Sequence, residues 1–241
     1  MKTLKYLLFV MLLATVPLAL ADPFNPFNVR PVPIGSAPPG EQDLQQILNA
    51  QCPGCFNVNT DQQSAGYWRL VTPGAIAPLI VVEFAGWASS NVVGMFSGTT
   101  THDIFLGPAA PGKAALVQWT TPTSGTIFGV PGVVNVGPFA GISYLGFGFY
   151  LRPGGAPSTY YYTVDDLNPN DSPQAVAYRH MPSNTWWIAF EDLLVNGGNS
   201  DRDYNDFVLR VESIYPVPEP AAILLVGSVL LLVGRRLRAR A

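Results

Sequence analysis

Short apolar runs, broken every few residues by glycine, proline, serine or asparagine, dominate the chain from Gly66 to Val211. GYWRLV, PLIVVEFA, NVVGMF, HDIFL, AALVQW, GVVNV, ISYLGFGFYL, TYYYTV, AVAYR, TWWIAFEDL and YNDFVLRV are strand-sized and rich in β-branched and aromatic residues. Runs of this length and spacing predict an all-β fold, an antiparallel β-sandwich or jelly-roll-like single domain. Nothing between them is long enough for the crossover helices of a parallel sheet. FGFYLRPGGAPSTYYYTV reads as a hairpin with Pro153 to Pro157 as its loop. Side chains alternate across a strand, so at most one of Trp186 and Trp187 should lie in the core while the other faces outward. Helical spacing occurs in EQDLQQILNA, where Leu44, Ile47 and Leu48 fall at i, i+3 and i+4.

Outside this β-rich body the texture changes. Residues 22–42 are proline-rich and aperiodic, an extended linker or a strand along the domain's edge. The domain is expected over 43–215, with no internal repeat. Residues 1–21, MKTLKYLLFVMLLATVPLALA, have a basic start, an apolar stretch and small residues at Ala19 and Ala21. This is the layout of a signal peptide cut by signal peptidase after Ala21. At the other end, Ala221 to Gly234 is an uncharged apolar run of 14 residues followed at once by arginines. A spanning helix normally needs roughly 20 residues, but arginine side chains can snorkel and lengthen the span. Positive flanks place that end on the cytoplasmic side.

Composition sharpens the picture in two ways. Apolar residues make up 48% of the 241 residues, which excludes a disordered chain, and 23 glycines with 23 prolines explain the frequent turns. The formal net charge of −3 hides a partition, because Lys2, Lys5, Arg235, Arg236, Arg238 and Arg240 sit at the two ends. Between them, seven bases face all sixteen acids. So acidic a body offers no basic patch for nucleic acid.

Val217, Pro218, Glu219 and Pro220, then the apolar segment 221–234, then Arg235, Arg236, Arg238 and Arg240 in a basic tail over 235–241, resemble the PEP-CTERM sorting signal. The resemblance covers 217–241. It implies a Gram-negative, exopolysaccharide-producing source. It also implies a transient transmembrane helix and cleavage near Pro-Glu-Pro by an exosortase, a membrane cysteine transpeptidase. The processed protein would then reach the cell surface or extracellular matrix.

The chemistry concentrates in AFEDLLVNGGNSDRDYNDFVLRV. A hairpin would bring Glu191 and Asp192 close to Asp201, Asp203, Asn205 and Asp206. Carboxylates crowded at one hairpin end repel unless a cation or water screens them. Calcium suits such hard oxygen donors. An EF-hand register starting at Asp201 places Asp203 and Asn205 at positions 3 and 5 and Glu212 at 12. Position 6 is then Asp206 where glycine is needed, and the flanks are strand-like, so the EF-hand is rejected. Two further readings stay open. Asp and Asn can simply fix a turn by capping backbone groups, or a carboxylate pair such as Glu83 and Glu191 could act on a glycosidic bond.

Other candidates are weaker. Cys52 and Cys55 in CPGC lack the flanking strand and helix of a redox motif and a second ligand pair for zinc. A small-loop structural disulfide is expected, closed by the Pro53-Gly54 turn. His102 and His180 sit at strand edges with no G-x-S-x-G, H-E-x-x-H or P-loop elsewhere. Trp68, Trp87, Trp119, Trp186, Trp187 and Tyr160 to Tyr162 offer faces on which sugars could stack.

Glu83, Ala85, Gly86, Asn91 and Gly94, followed by Glu191, Asp192, Asp201, Asp203, Asn205 and Asp206, resemble a domain family of unknown function common in secreted bacterial proteins. That resemblance covers most of 67–212. It implies an all-β domain, suggests calcium and supplies no catalytic activity. The expectation is therefore a non-enzymatic, exported structural or adhesive protein, calcium-stabilised and associated with an exopolysaccharide or biofilm matrix. The alternative is a carbohydrate-binding or exopolysaccharide-degrading domain.

Overall fold

The computed structural model describes residues 30–217, apart from 64, 65, 73, 84–89, 108, 155 and 157. The expected signal peptide, the sorting motif from Pro218, the apolar segment and the arginine tail all lie outside the described residues. Among the described residues, no helix is long and apolar enough to cross a membrane.

Among the described residues one α-helix, α1 (Leu44–Gln51), is followed by strands, with short 3-10 turns at Asp165–Leu167, Pro169–Asp171 and Val195–Gly197. The first half of the strands comprises β1 (Trp68–Arg69), β2 (Ala75–Ile76), β3 (Leu79–Glu83), β4 (Val92–Ser97), β5 (Thr100–Phe105), β6 (Leu116–Trp119) and β7 (Ser124–Phe128). The second half comprises β8 (Gly137–Ala140), β9 (Gly148–Arg152), β10 (Tyr161–Tyr162), β11 (Ala175–His180), β12 (Thr185–Phe190), β13 (Phe207–Glu212) and β14 (Tyr215–Pro216). Every strand pairing is antiparallel, in sheets ordered β10-β9-β4-β5, β11-β12-β13-β3 and β2-β6-β7-β8, with a β1-β14 pair. The described residues form an all-β fold with one short α-helix.

Alternation explains the layering. On β11, β12 and β13, residues Ala175, Ala177, Trp186, Ile188, Phe190, Phe207, Leu209 and Val211 join one core with Val93, Met95, Phe149 and Leu151 of the β4–β9 sheet. The intervening residues Val176, Tyr178, Trp187, Ala189 and Val208 join a second core with Leu44, Ile47 and Leu48 of α1, together with Phe56 and Val58. The β11–β12–β13 sheet is thus buried on both faces.

This corrects the expectation for the tryptophan pair. Trp186 and Trp187 do point to opposite faces, but they are 1% and 4% exposed, because α1 and the segment after it cover the outer face. The proline-rich stretch is likewise part of the packing where it is described. Val32 and Ile34 rest on the second core, and Val32 N–H donates to Gln62. Arg30 makes a two-pronged ion pair with Asp165 at 2.9 and 3.0 Å.

The strand expectations fail in one region. GVVNV is not a strand. Gly132 takes a φ of 83°, and Val134 makes only isolated bridges. β7 and β8 instead arise from SGTIF and GPFA, whose glycines and prolines mask a β signal supplied by cross-strand pairing. The expected hairpin forms, with β9 paired to β10 through Leu151 and Tyr161, but its connection spans 153–160 and does not end at Pro157.

Candidate metal centre

β12 and β13 pair with Phe190 opposite Phe207, which fixes where the connecting loop leaves and re-enters the sheet. Glu191 and Asp192 follow the last residue of β12, and Asp206 precedes the first residue of β13. Between them the chain makes a 3-10 turn at Val195–Gly197, then reverses through Gly198 at φ 85°. Arg202 and Tyr204 adopt left-handed φ values of 61° and 54°. Such a conformation is costly for a residue with a side chain and persists only where the surroundings impose it. Tyr204 is 1% exposed and its hydroxyl donates to the Pro173 carbonyl at 2.6 Å. Arg202 donates to the Val195 carbonyl, and its own carbonyl accepts from Gly35 N–H at 2.7 Å.

This loop gathers the carboxylates expected from sequence. Oxygens of Glu191, Asp192 and Asp206 lie within 4.8 Å of one another, and so do oxygens of Glu191, Asp201 and Asp203. Glu191, Asp192, Asp203 and Asn205 are buried, Asp206 is half-buried and Asp201 is exposed. Asp206 Oδ2 accepts from Asp192 N–H at 2.8 Å, and Asp203 Oδ1 from Asn205 N–H at 3.1 Å. Four buried oxygens, Glu191 Oε2, Asp192 Oδ2, Asp203 Oδ2 and Asn205 Oδ1, have no hydrogen-bond partner among the described residues. The described ion pairs join Arg30 to Asp165, Arg152 to Asp103 and Arg210 to Glu212, so none of them engages this cluster.

The electrostatic consequence is large. Burial, then the charges of Asp201 and Asp203, push Glu191 up to about 8. Burial, then Asp192 and Glu191, push Asp206 up to about 9. Burial outweighs the backbone hydrogen bond from Asn205 and moves Asp203 to about 6. Asp192 is also raised, first by burial, with Asn91 partly offsetting it. Two like charges at 4 Å repel by about 4 kcal/mol at an effective dielectric near 20. The metal-free cluster therefore keeps protons that isolated carboxyls would lose. A divalent cation removes the conflict, and oxygen donors of this kind fit calcium.

Residues 144–214 match the model of a domain family of unknown function, DUF4114. That segment holds Glu191, Asp192, Asp201, Asp203, Asn205 and Asp206, from before β9 to the end of β13. No curated protein and no solved structure matches the chain.

Residues outside that segment complete the site, and sequence spacing did not point to them. Asn205 Nδ2 donates to the Gln42 carbonyl at 3.0 Å and to Glu41 Oε2 at 3.4 Å. The Glu41 charge also raises Asp192 and Asp203. Gly35 is required by contact, since a Cβ there would sit 1.9 Å from the Asp201 carbonyl oxygen. Of the residues marked in sequence, Asn91 lies beside Asp192 and also braces a neighbouring loop, while Gly94 has a packing role. Asn91 Oδ1 accepts from Gly154 N–H, and Gly94 leaves room for the Tyr150 ring that crosses it. Glu83 ends β3 opposite Phe207, while Ala85, Gly86 and Trp87 lie outside the described residues.

The remaining candidates are not brought to this site. Cys52 and Cys55 are joined in a disulfide with Cα atoms 5.5 Å apart. His180 approaches them, but sulfurs tied to each other are not thiolate ligands. His102 packs against Phe139 on another sheet. Trp68, Trp119, Trp186 and Trp187 are all buried, so none offers a free stacking face.

Proposed function

We propose that this chain is an exported structural or adhesive protein of the cell surface or extracellular matrix. Its β-domain is held in its working form by calcium at Glu191, Asp192, Asp201, Asp203, Asn205 and Asp206. One observation carries the metal reading: buried carboxylate oxygens converge with no hydrogen-bond partner among the described residues and no described ion pair to balance them. Buried charges without partners are strongly destabilising, so a ligand that neutralises them is the economical explanation. Calcium is abundant outside cells, where the signal-like 1–21 segment would send the chain.

The delivery half of the proposal rests on the PEP-CTERM-like tail, 217–241. In this reading an exosortase removes the membrane segment after signal peptidase has acted at the other end. The role is scaffolding, because the carboxylates are committed to the ion and not kept as a free acid–base pair. The buried tryptophans weigh against the carbohydrate-binding alternative.

Thermal unfolding of the full chain in EDTA and in millimolar calcium tests the metal reading. Calcium at a hundredfold over Kd should add about 2.7 kcal/mol. The Asp203→Ala, Asp206→Ala double variant should lose that increment. An unchanged Tm in the parent would refute calcium at this cluster.

A further inference from the structure

We infer that the cluster takes two divalent cations, bridged by the Glu191 carboxylate. This rests on the calcium reading above and goes beyond it in number, ligand assignment and the role of one residue.

The carboxylates do not form one cage. Asp192 and Asp206 meet Glu191 in one group, Asp201 and Asp203 meet it in another, and Glu191 is the shared member. Calcium binds oxygens at about 2.3–2.6 Å, so ligands of a single ion lie within about 5 Å of each other. Each group satisfies that limit by itself, with its oxygens within 4.8 Å. A carboxylate has two oxygens and can hold one ion with each. Glu191 is 1% exposed and its Oε2 has no hydrogen-bond partner among the described residues. Each group also contributes its own unpartnered buried oxygen, Asp192 Oδ2 in one and Asp203 Oδ2 in the other. These unsatisfied atoms distinguish the cluster from an ordinary acidic turn, whose oxygens face water or cap the backbone.

Charge supports the count. Glu191, Asp192, Asp201, Asp203 and Asp206 carry five negative charges when ionised. One calcium ion leaves three of them unbalanced in a largely buried loop, whereas two ions leave one. Glu41, beside Asn205, supplies a further carboxylate at the loop's edge.

The test is the number of ions bound at saturation, measured on the full chain by equilibrium dialysis with radioactive calcium. The parent should bind two. Asp206→Asn and Asp203→Asn should each leave one tight ion, and Glu191→Gln should weaken both by at least tenfold. The amides keep nearly the size and shape of the carboxyls they replace, and circular dichroism in EDTA checks that each variant folds. One ion in the parent would overturn the bridged pair and leave the calcium reading standing. No ion would overturn both. Two ions in the parent with only one lost in Glu191→Gln would overturn the bridging role. Parent stoichiometry needs no variant, so a variant that fails to fold still leaves the proposal open to refutation.

Discussion

At the residue scale, the loop after β12 sets burial against charge. Glu191 is raised to about 8, Asp206 to about 9 and Asp203 to about 6, in each case mainly because burial penalises the ionised form. The unfolded chain releases the same protons near pH 4. Folding of the metal-free protein therefore takes up protons between those values, and stability falls as pH rises. The contribution is present in full below about pH 4 and is lost through about 6, 8 and 9. Under the proposed calcium site the slope would reverse, since the ligands of a bound ion must be deprotonated. The Tm in EDTA should fall from pH 5 to pH 9, while the increment added by calcium should grow over the same range. Calorimetry at pH 5 and pH 8 checks both, and an equal increment at the two values would contradict the account.

At the scale of elements, the segment before β1 covers the β11–β12–β13 sheet and braces its loop. Leu48, in α1, is fully buried against the second core. Leu48→Ala should cost about 2–5 kcal/mol in denaturant unfolding. Arg30 and Asp165 are 8% and 3% exposed at their side chains, and desolvation still leaves Asp165 raised despite the guanidinium. Removing one partner of so buried a pair typically costs about 3–5 kcal/mol, so Arg30→Ala should be as damaging as a core truncation. Gly35→Ala addresses the brace itself. Its new Cβ meets the Asp201 carbonyl, so the loop must shift. Calcium affinity should drop more than global stability in EDTA, as titration calorimetry and unfolding measured side by side would reveal.

At the scale of the whole molecule, long-range β pairing carries the fold and the disulfide adds little. Cys52 and Cys55 are three residues apart and close a minimal loop at the end of α1. By loop-closure entropy such a link is worth no more than about 2 kcal/mol. Reduction should lower Tm by a few degrees and leave calcium binding intact. If reduction abolished binding, the segment around α1 would have a larger role in ordering the loop than its contacts indicate.

The all-β class, helix α1, the hairpin through Leu151 and Tyr161 and the gathering of Glu191 with Asp206 were legible in the sequence, because each depends on local periodicity or on neighbours a short loop apart. Tertiary structure decided the rest. One of Trp186 and Trp187 was expected to face outward, yet α1 and the segment after it cover Trp187, since alternation reports which face a side chain takes and not what lies over that face. Glu41 joined the site across 164 residues to reach Asn205, and Gly35 met Asp201 in the same way. The division of five carboxylates into two groups sharing Glu191 depends on angstrom-scale placement around Arg202 and Tyr204, whose left-handed backbone is imposed by packing and not announced by residue type.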